Sequence, residues 1–136
     1  MKKAMVWVLS ALLVTSCQNT TGIAQPEDGE DAGREFIRAV LDGDYVKAQA
    51  YIVNDEEDVE LYKRYVEYMR KLDAKELIEY KQSNITIHEI QHQGDTTTIM
   101  QYSNSATKTT QKLKVVKRND KWLVDFSYTF VEEKKN

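Results

Sequence analysis

The hydrophobic period of this chain changes once, at Ser83. Before that point apolar residues recur three and four apart, the period of helices with one buried face. After it, Thr, Ile, Val and aromatic residues alternate with polar ones between turn residues, the pattern of half-buried strands. Helices first and strands second leave no alternating βαβ units from which to build a parallel sheet. The strands must fold back on one another as an antiparallel meander, with the helices against one face, which is an α+β arrangement. At 136 residues the chain has length for one such domain.

Residues 31–41 read as a first helix, with Phe36, Ile37, Val40 and Leu41 on one stripe and acidic Glu30 and Asp31 at the end where the helix dipole favours them. Gly43 stops it, and Asp44 can cap a second helix over 45–53 that turns Tyr45, Ala48 and Ile52 one way. An acidic run, 54–58, precedes a third helix over 59–72, striped by Tyr62, Tyr65, Val66, Met69 and Leu72. Its outer face offers Glu60–Arg64, Lys63–Glu67 and Glu67–Lys71 as ion pairs at i, i+4. A short helix over 74–80 follows. Strands are expected over 84–93, 96–104, 108–118 and 121–130, with Gly94-Asp95 and Asn119-Asp120 as hairpin turns. In the last strand Trp122, Val124, Phe126 and Tyr128 share one face, and Asp125 has the opposite parity.

The N-terminal segment has a different texture. Lys2 and Lys3 precede an apolar run from Ala4 to Val14, about half the ~20 residues needed to cross a bilayer core. A basic start and a short apolar run form the layout of a secretory signal peptide. The run ends in Val14-Thr15-Ser16-Cys17, which resembles the lipobox of bacterial lipoproteins, with Val14 where Leu is commoner. That resemblance implies removal of residues 1–16, lipidation of Cys17 and anchoring to a membrane through acyl chains, without a spanning helix. It also accounts for the single Cys, which by itself excludes an intrachain disulfide and any multi-cysteine metal site. Loss of Lys2 and Lys3 takes the net charge from −3 to −5, so there is no basic footprint for nucleic acid. Residues 17–30 then form the lipidated Cys and a polar tether holding the only Pro. Gln18 stands where enteric lipoproteins retained in the inner membrane carry Asp, so the resemblance points to the outer membrane.

Two motifs carry a second resemblance. The first is Phe36-x-x-Ala39-Val40-x-x-Gly43-Asp44-Tyr45-x-x-Ala48, and the second is Asn119-Asp120-Lys121-Trp122-Leu123-Val124-Asp125. With the order of elements, they make residues 31–130 similar to the nuclear transport factor 2-like, or cystatin-like, fold. They resemble in particular its small exported lipoproteins of unknown function, some once labelled lumazine-binding. Residues 131–136 are left as a charged tail. The resemblance implies a curved four-stranded sheet wrapped over helices as a cone open at one end. It implies either a module that binds a small apolar ligand or an envelope protein, or an isomerase- or cyclase-type enzyme acting on a small apolar molecule. Homodimerisation through the sheet is a further implication. Fold alone does not choose among these.

The choice rests on which polar residues face the cone. His88 and His92 lie four apart in a strand, ~13 Å at strand rise, too far to share a metal ion or a proton unless a bulge intervenes. They read as solvated or rim residues. In the isomerases and cyclases of the family it resembles, an inward acid in a curved strand acts as general base; Asp125 lies in the last strand, but its parity turns it away from the aromatic face, so it is a weak catalytic candidate. Eight Tyr are explained first as amphipathic packing. The alternative is an aromatic ligand site made by Tyr45, Tyr65, Tyr102 and Trp122. No Gly-rich phosphate loop, nucleophile elbow or metal-ligand spacing is present, and nothing calls for a cofactor.

Overall fold

The structure is a computed structural model that describes residues 25–133, and the side chains of 130–133 are left out of the description. The lipobox, Cys17 and most of the tether lie outside the described residues. No helix among those described is long and apolar enough to cross a membrane.

Over the described residues the chain is α+β, with four helices followed by an open four-stranded antiparallel sheet of order β1-β2-β3-β4 and a fifth helix. Helix α1 runs Gly29–Leu41, beginning two residues before the expected start because Asp28 caps it by accepting from Asp31 N. Gly29 and Glu30, assigned above to the tether, therefore belong to the domain. Gly43 then turns the chain at φ +75, and α2 follows over Tyr45–Gln49, capped by Asp44.

Helix α2 is shorter than its periodicity suggests. The expected final turn is replaced by extended chain alongside the last strand. Val53 N donates to Val124 O at 3.0 Å, and Val124 N donates to Tyr51 O at 2.6 Å. Ile52 and Val53 are β-branched and buried, and a strand-like path suits both better than a helix end.

Helix α3 (Glu56–Met69) begins inside the acidic run, because Asp55 is its N-cap and Glu56, Glu57 and Asp58 form its first turn. Tyr62, Val66 and Met69 are buried from its stripe. On its outer face Glu60 pairs with Lys63 at 3.5 Å rather than with Arg64. Among the described residues neither pair expected for Glu67 forms. Helix α4 (Ala74–Gln82) has a full capping box from Asp73 and Glu76 yet buries no residue, leaving Leu77 and Ile78 exposed.

Strand β1 is Ile85–Gln93, β2 Thr97–Asn104, β3 Gln111–Arg118 and β4 Lys121–Asp125. The β3–β4 turn has two residues, Asn119 and Asp120, both at positive φ, the form that matches strand twist. In β1 a bulge leaves His88 without a partner in the ladder between Ile87 and Glu89. It shifts parity, so Ile85, Ile87 and Ile90 all pack on the core.

The C-terminal expectation is corrected most. Strand β4 ends at Asp125, and α5 occupies Phe126–Glu133 where strand and charged tail were expected. Asp125 Oδ1 accepts from Ser127 Oγ at 3.0 Å and from Tyr128 N at 3.2 Å, which caps the new helix. The aromatic alternation is broken there. Phe126 turns into the core, edge-on to Phe36, Tyr62 and Tyr65 at ring-centroid distances of 6.1, 5.4 and 5.7 Å. Tyr128 instead meets the Lys114 ammonium.

Helix α1 lies across the sheet and touches it through Gly29 and Gly33. A Cβ at Gly29 would lie 2.5 Å from Thr98 Oγ1 and 2.8 Å from Thr98 Cβ, and one at Gly33 would collide with Met100 Sδ. Thr98 and Met100 are 1% and 0% exposed. Gly29→Ala should therefore cost about 1–3 kcal/mol by overpacking, although Ala is the better helix former. Urea unfolding of the variant measures this, and an unchanged or raised midpoint would mean that α1 sits farther from β2.

Candidate functional site: an aromatic cavity

The four residues suggested as a ligand site are not brought together. Tyr65 and Tyr102 line a cavity of about 530 Å³ between the helices and the sheet. Tyr45 lines a separate cavity of about 330 Å³, with Leu77, Ile78, Arg70 and Lys81. Trp122 lines neither. It lies near Gly29 at the N-terminus of α1, with the Lys117 ammonium 5.7 Å from its ring centre. Val40, Leu41, Met69 and Tyr80 are common to both cavities, so Tyr80 of α4 is part of the wall between them.

The larger cavity has an apolar interior. Helix α1 supplies Phe36, Ile37 and Val40, the sheet supplies Tyr102 and Leu113, and α5 supplies Phe126. Tyr65, Tyr68 and Met69 come from α3. Arg64, Tyr68 and Thr107 are exposed and mark the opening. Polar groups are few: Arg64, Asn104, Thr107, Gln111 and Thr129. Thr129 Oγ1 is buried without a hydrogen-bond partner among the described residues. No local pattern marks Thr129, which falls where strand was expected.

Burial raises the Tyr65 phenol well above its ordinary value, and neighbouring Tyr102 adds to the effect. Tyr80 is raised by burial and then by Tyr68. Both hydroxyls are neutral near pH 7, able to donate a hydrogen bond but not to act as phenolate bases. A pocket of this size, apolar within and edged by a few convergent polar groups, is the usual form of a small-molecule site.

The strand candidates for acid–base work lie elsewhere. Asp125 pairs with Lys114 across the β3–β4 ladder at 3.0 Å. Its ladder neighbour Val124, which points into the core, has the opposite parity. His88 Nε2 meets Ser103 Oγ at 2.8 Å, and His92 Nδ1 meets Thr98 Oγ1 at 3.3 Å. Ser103 and Thr98 project from opposite faces of β2, so the bulge puts the two histidines on opposite faces as well. Both are exposed, and no group of three metal-ligating side chains is found among the described residues.

The unusual acid is Asp58, which the sequence reading passed over as part of a capping run. It is 3% exposed, and its Oδ1 accepts from Ser127 N at 2.7 Å. Burial pushes its carboxyl up to about 6, against the Ser127 bond, and hydrogen bonding to the Asp55 carboxylate raises it further. Asp58 thus ties the first turn of α3 to the first turn of α5, next to the cavity wall rather than in it. Nothing local in the run 54–58 distinguishes it. Its burial follows from α5, which the alternating aromatics hide.

Comparison of the chain with protein-family models, with curated proteins and with solved structures finds no match in any of the three.

The raised Asp58 carboxyl sets a direction for stability. The folded state holds this proton more tightly than the unfolded chain, whose Asp titrates near 3.8. Its contribution is therefore largest at low pH and is lost as pH rises through about 6. Stability should fall by on the order of 1 kcal/mol from this group between pH ~5 and ~7.5. In Asp58→Asn the amide can still accept from Ser127 N and can donate to Asp55, so that part of the slope should vanish. Urea midpoints across this range test it, and identical pH profiles for the two proteins would contradict it.

Proposed function

We propose that the chain is a lipid-anchored protein of the bacterial cell envelope whose domain binds a small apolar molecule in the larger cavity. The cavity carries this reading: about 530 Å³ of space walled by aromatic and aliphatic side chains, with Tyr65 and Tyr102 among them. Among the described residues no Asp, Glu or His lines it. Binding needs none of these, whereas the isomerase- or cyclase-type alternative needs an acid–base group facing the ligand. The binding reading is therefore preferred.

The domain is read as nuclear transport factor 2-like on the strength of element order, the Gly43-Asp44 junction and the Asn119-Asp120 turn leading to Trp122. Helix α5 after a short β4 is a departure from that pattern. Anchoring through Cys17, with the outer membrane as its location, is supported by the basic start, short apolar run, lipobox-like end and Gln18.

Cys17→Ser should move the protein from the membrane to the soluble fraction. Native mass spectrometry of that released form, purified from its own host, should show the domain carrying one small molecule. The same spectrum distinguishes monomer from homodimer. Retention of the cleaved variant in the membrane would remove the anchoring proposal. A bare domain that also takes up no apolar probe would remove the binding proposal.

A further inference from the structure

Among the described residues Arg64 is the only formally charged one lining the large cavity. Its natural partner one turn earlier is Glu60, but Glu60 Oε2 lies 3.5 Å from Lys63 Nζ. Among the described residues Arg64 makes no ion pair. Its guanidinium, with five donors and no acceptor, therefore stands uncommitted at the opening of an apolar space.

The other polar groups of the wall are also mostly donors. Asn104 Oδ1 is taken by Ala106 N and Thr107 N at 3.1 and 3.0 Å, so the rest of that amide is a donor. Tyr80 is held neutral by burial and keeps its hydroxyl proton. Thr129 Oγ1 waits unpartnered in the α5 wall. A buried hydroxyl in that state carries a desolvation cost that a ligand's polar group would relieve. One cation and several donors around an apolar floor, with no carboxylate among the described lining residues, match a ligand that is apolar along its body and rich in acceptors at one end.

We infer that the cavity takes an amphipathic monoanion, its ring system or acyl chain in the aromatic interior and its carboxylate-like head at Arg64. This rests on the binding reading above. Aromatic acids and fatty acids share this chemistry, and the two differ only in what fills the interior.

The test uses two dyes with one skeleton, neutral N-phenyl-1-naphthylamine and anionic 8-anilinonaphthalene-1-sulfonate, titrated into the Cys17→Ser protein. Both should bind saturably, the anion about tenfold tighter, since one exposed charge-assisted contact is worth about that factor. Arg64→Gln should abolish the difference, Arg64→Lys should keep most of it, and added salt should shrink it. Arg64 is exposed, so these variants should fold. Decanoate or 2-naphthoate should then displace the bound anion, and the better competitor identifies the body as acyl or aromatic. Equal affinity for the two dyes, unchanged in Arg64→Gln, would overturn the anionic head while leaving the cavity as a binding site. Failure of both acids to displace the dye would also overturn it. If neither dye binds, or if both still bind when Thr129→Trp fills the cavity, the binding reading falls as well.

Discussion

The contact on which the rest of the domain depends is the seating of α1 on β2 through two glycines. Gly29 and Gly33 are one helical turn apart and face Thr98 and Met100, both fully enclosed. At both positions the helix meets the sheet's side chains with bare backbone. The next turns of the same helix carry Phe36, Ile37, Val40 and Leu41, all of which line the cavity. Small residues at one end and large ones at the other set how α1 crosses the sheet. The closely packed end fixes the helix, and the bulky end borders space that the sheet and α3 do not fill. Interiors are packed too tightly for such a space to arise by neglect.

A second junction closes the same space from the C-terminal side. Asp58 and Asp125 converge on the first turn of α5, one from α3 and one from β4, and between them take up Ser127 N, Ser127 Oγ and Tyr128 N. These bonds turn the chain out of β4 and deliver Phe126 and Thr129 to the cavity wall. Lys114 balances Asp125 at 3.0 Å, and Arg118 lies 4.0 Å from Asp55. Among the described residues Asp58 has no cation of its own there, in keeping with a carboxyl that keeps its proton to unusually high pH.

Much of this was legible in the sequence, for physical reasons that also explain what was not. Helical and strand periods separate at Ser83, so class, the order of elements as far as β4 and both tight turns could be read directly. Local signals are strong at Asp28, Asp55 and Asp73, yet they place helix starts only once it is clear which acid is the cap and which sits in the first turn. The errors fall where tertiary contacts override local pattern. Residues 51–53 leave the helix to lie along β4. Residues 126–129 leave the strand because the distant Asp58 joins the adjacent Asp125 in capping a helix there. Trp122 and Tyr45 were grouped with Tyr65 and Tyr102 by residue type alone, and only the packing separates them. The glycine contact has no sequence signal beyond two small residues in a helix.

On the function proposed above, the space beside α1 is where this domain meets a small apolar molecule. Amide chemical-shift mapping with N-phenyl-1-naphthylamine on isotopically labelled Cys17→Ser protein tests it most directly. The account predicts saturable shifts concentrated at Val40, Tyr65, Tyr102, Leu113 and Phe126. Shifts concentrated instead at Ile99, Val116 and Leu123, on the sheet face turned away from the helices, would contradict it.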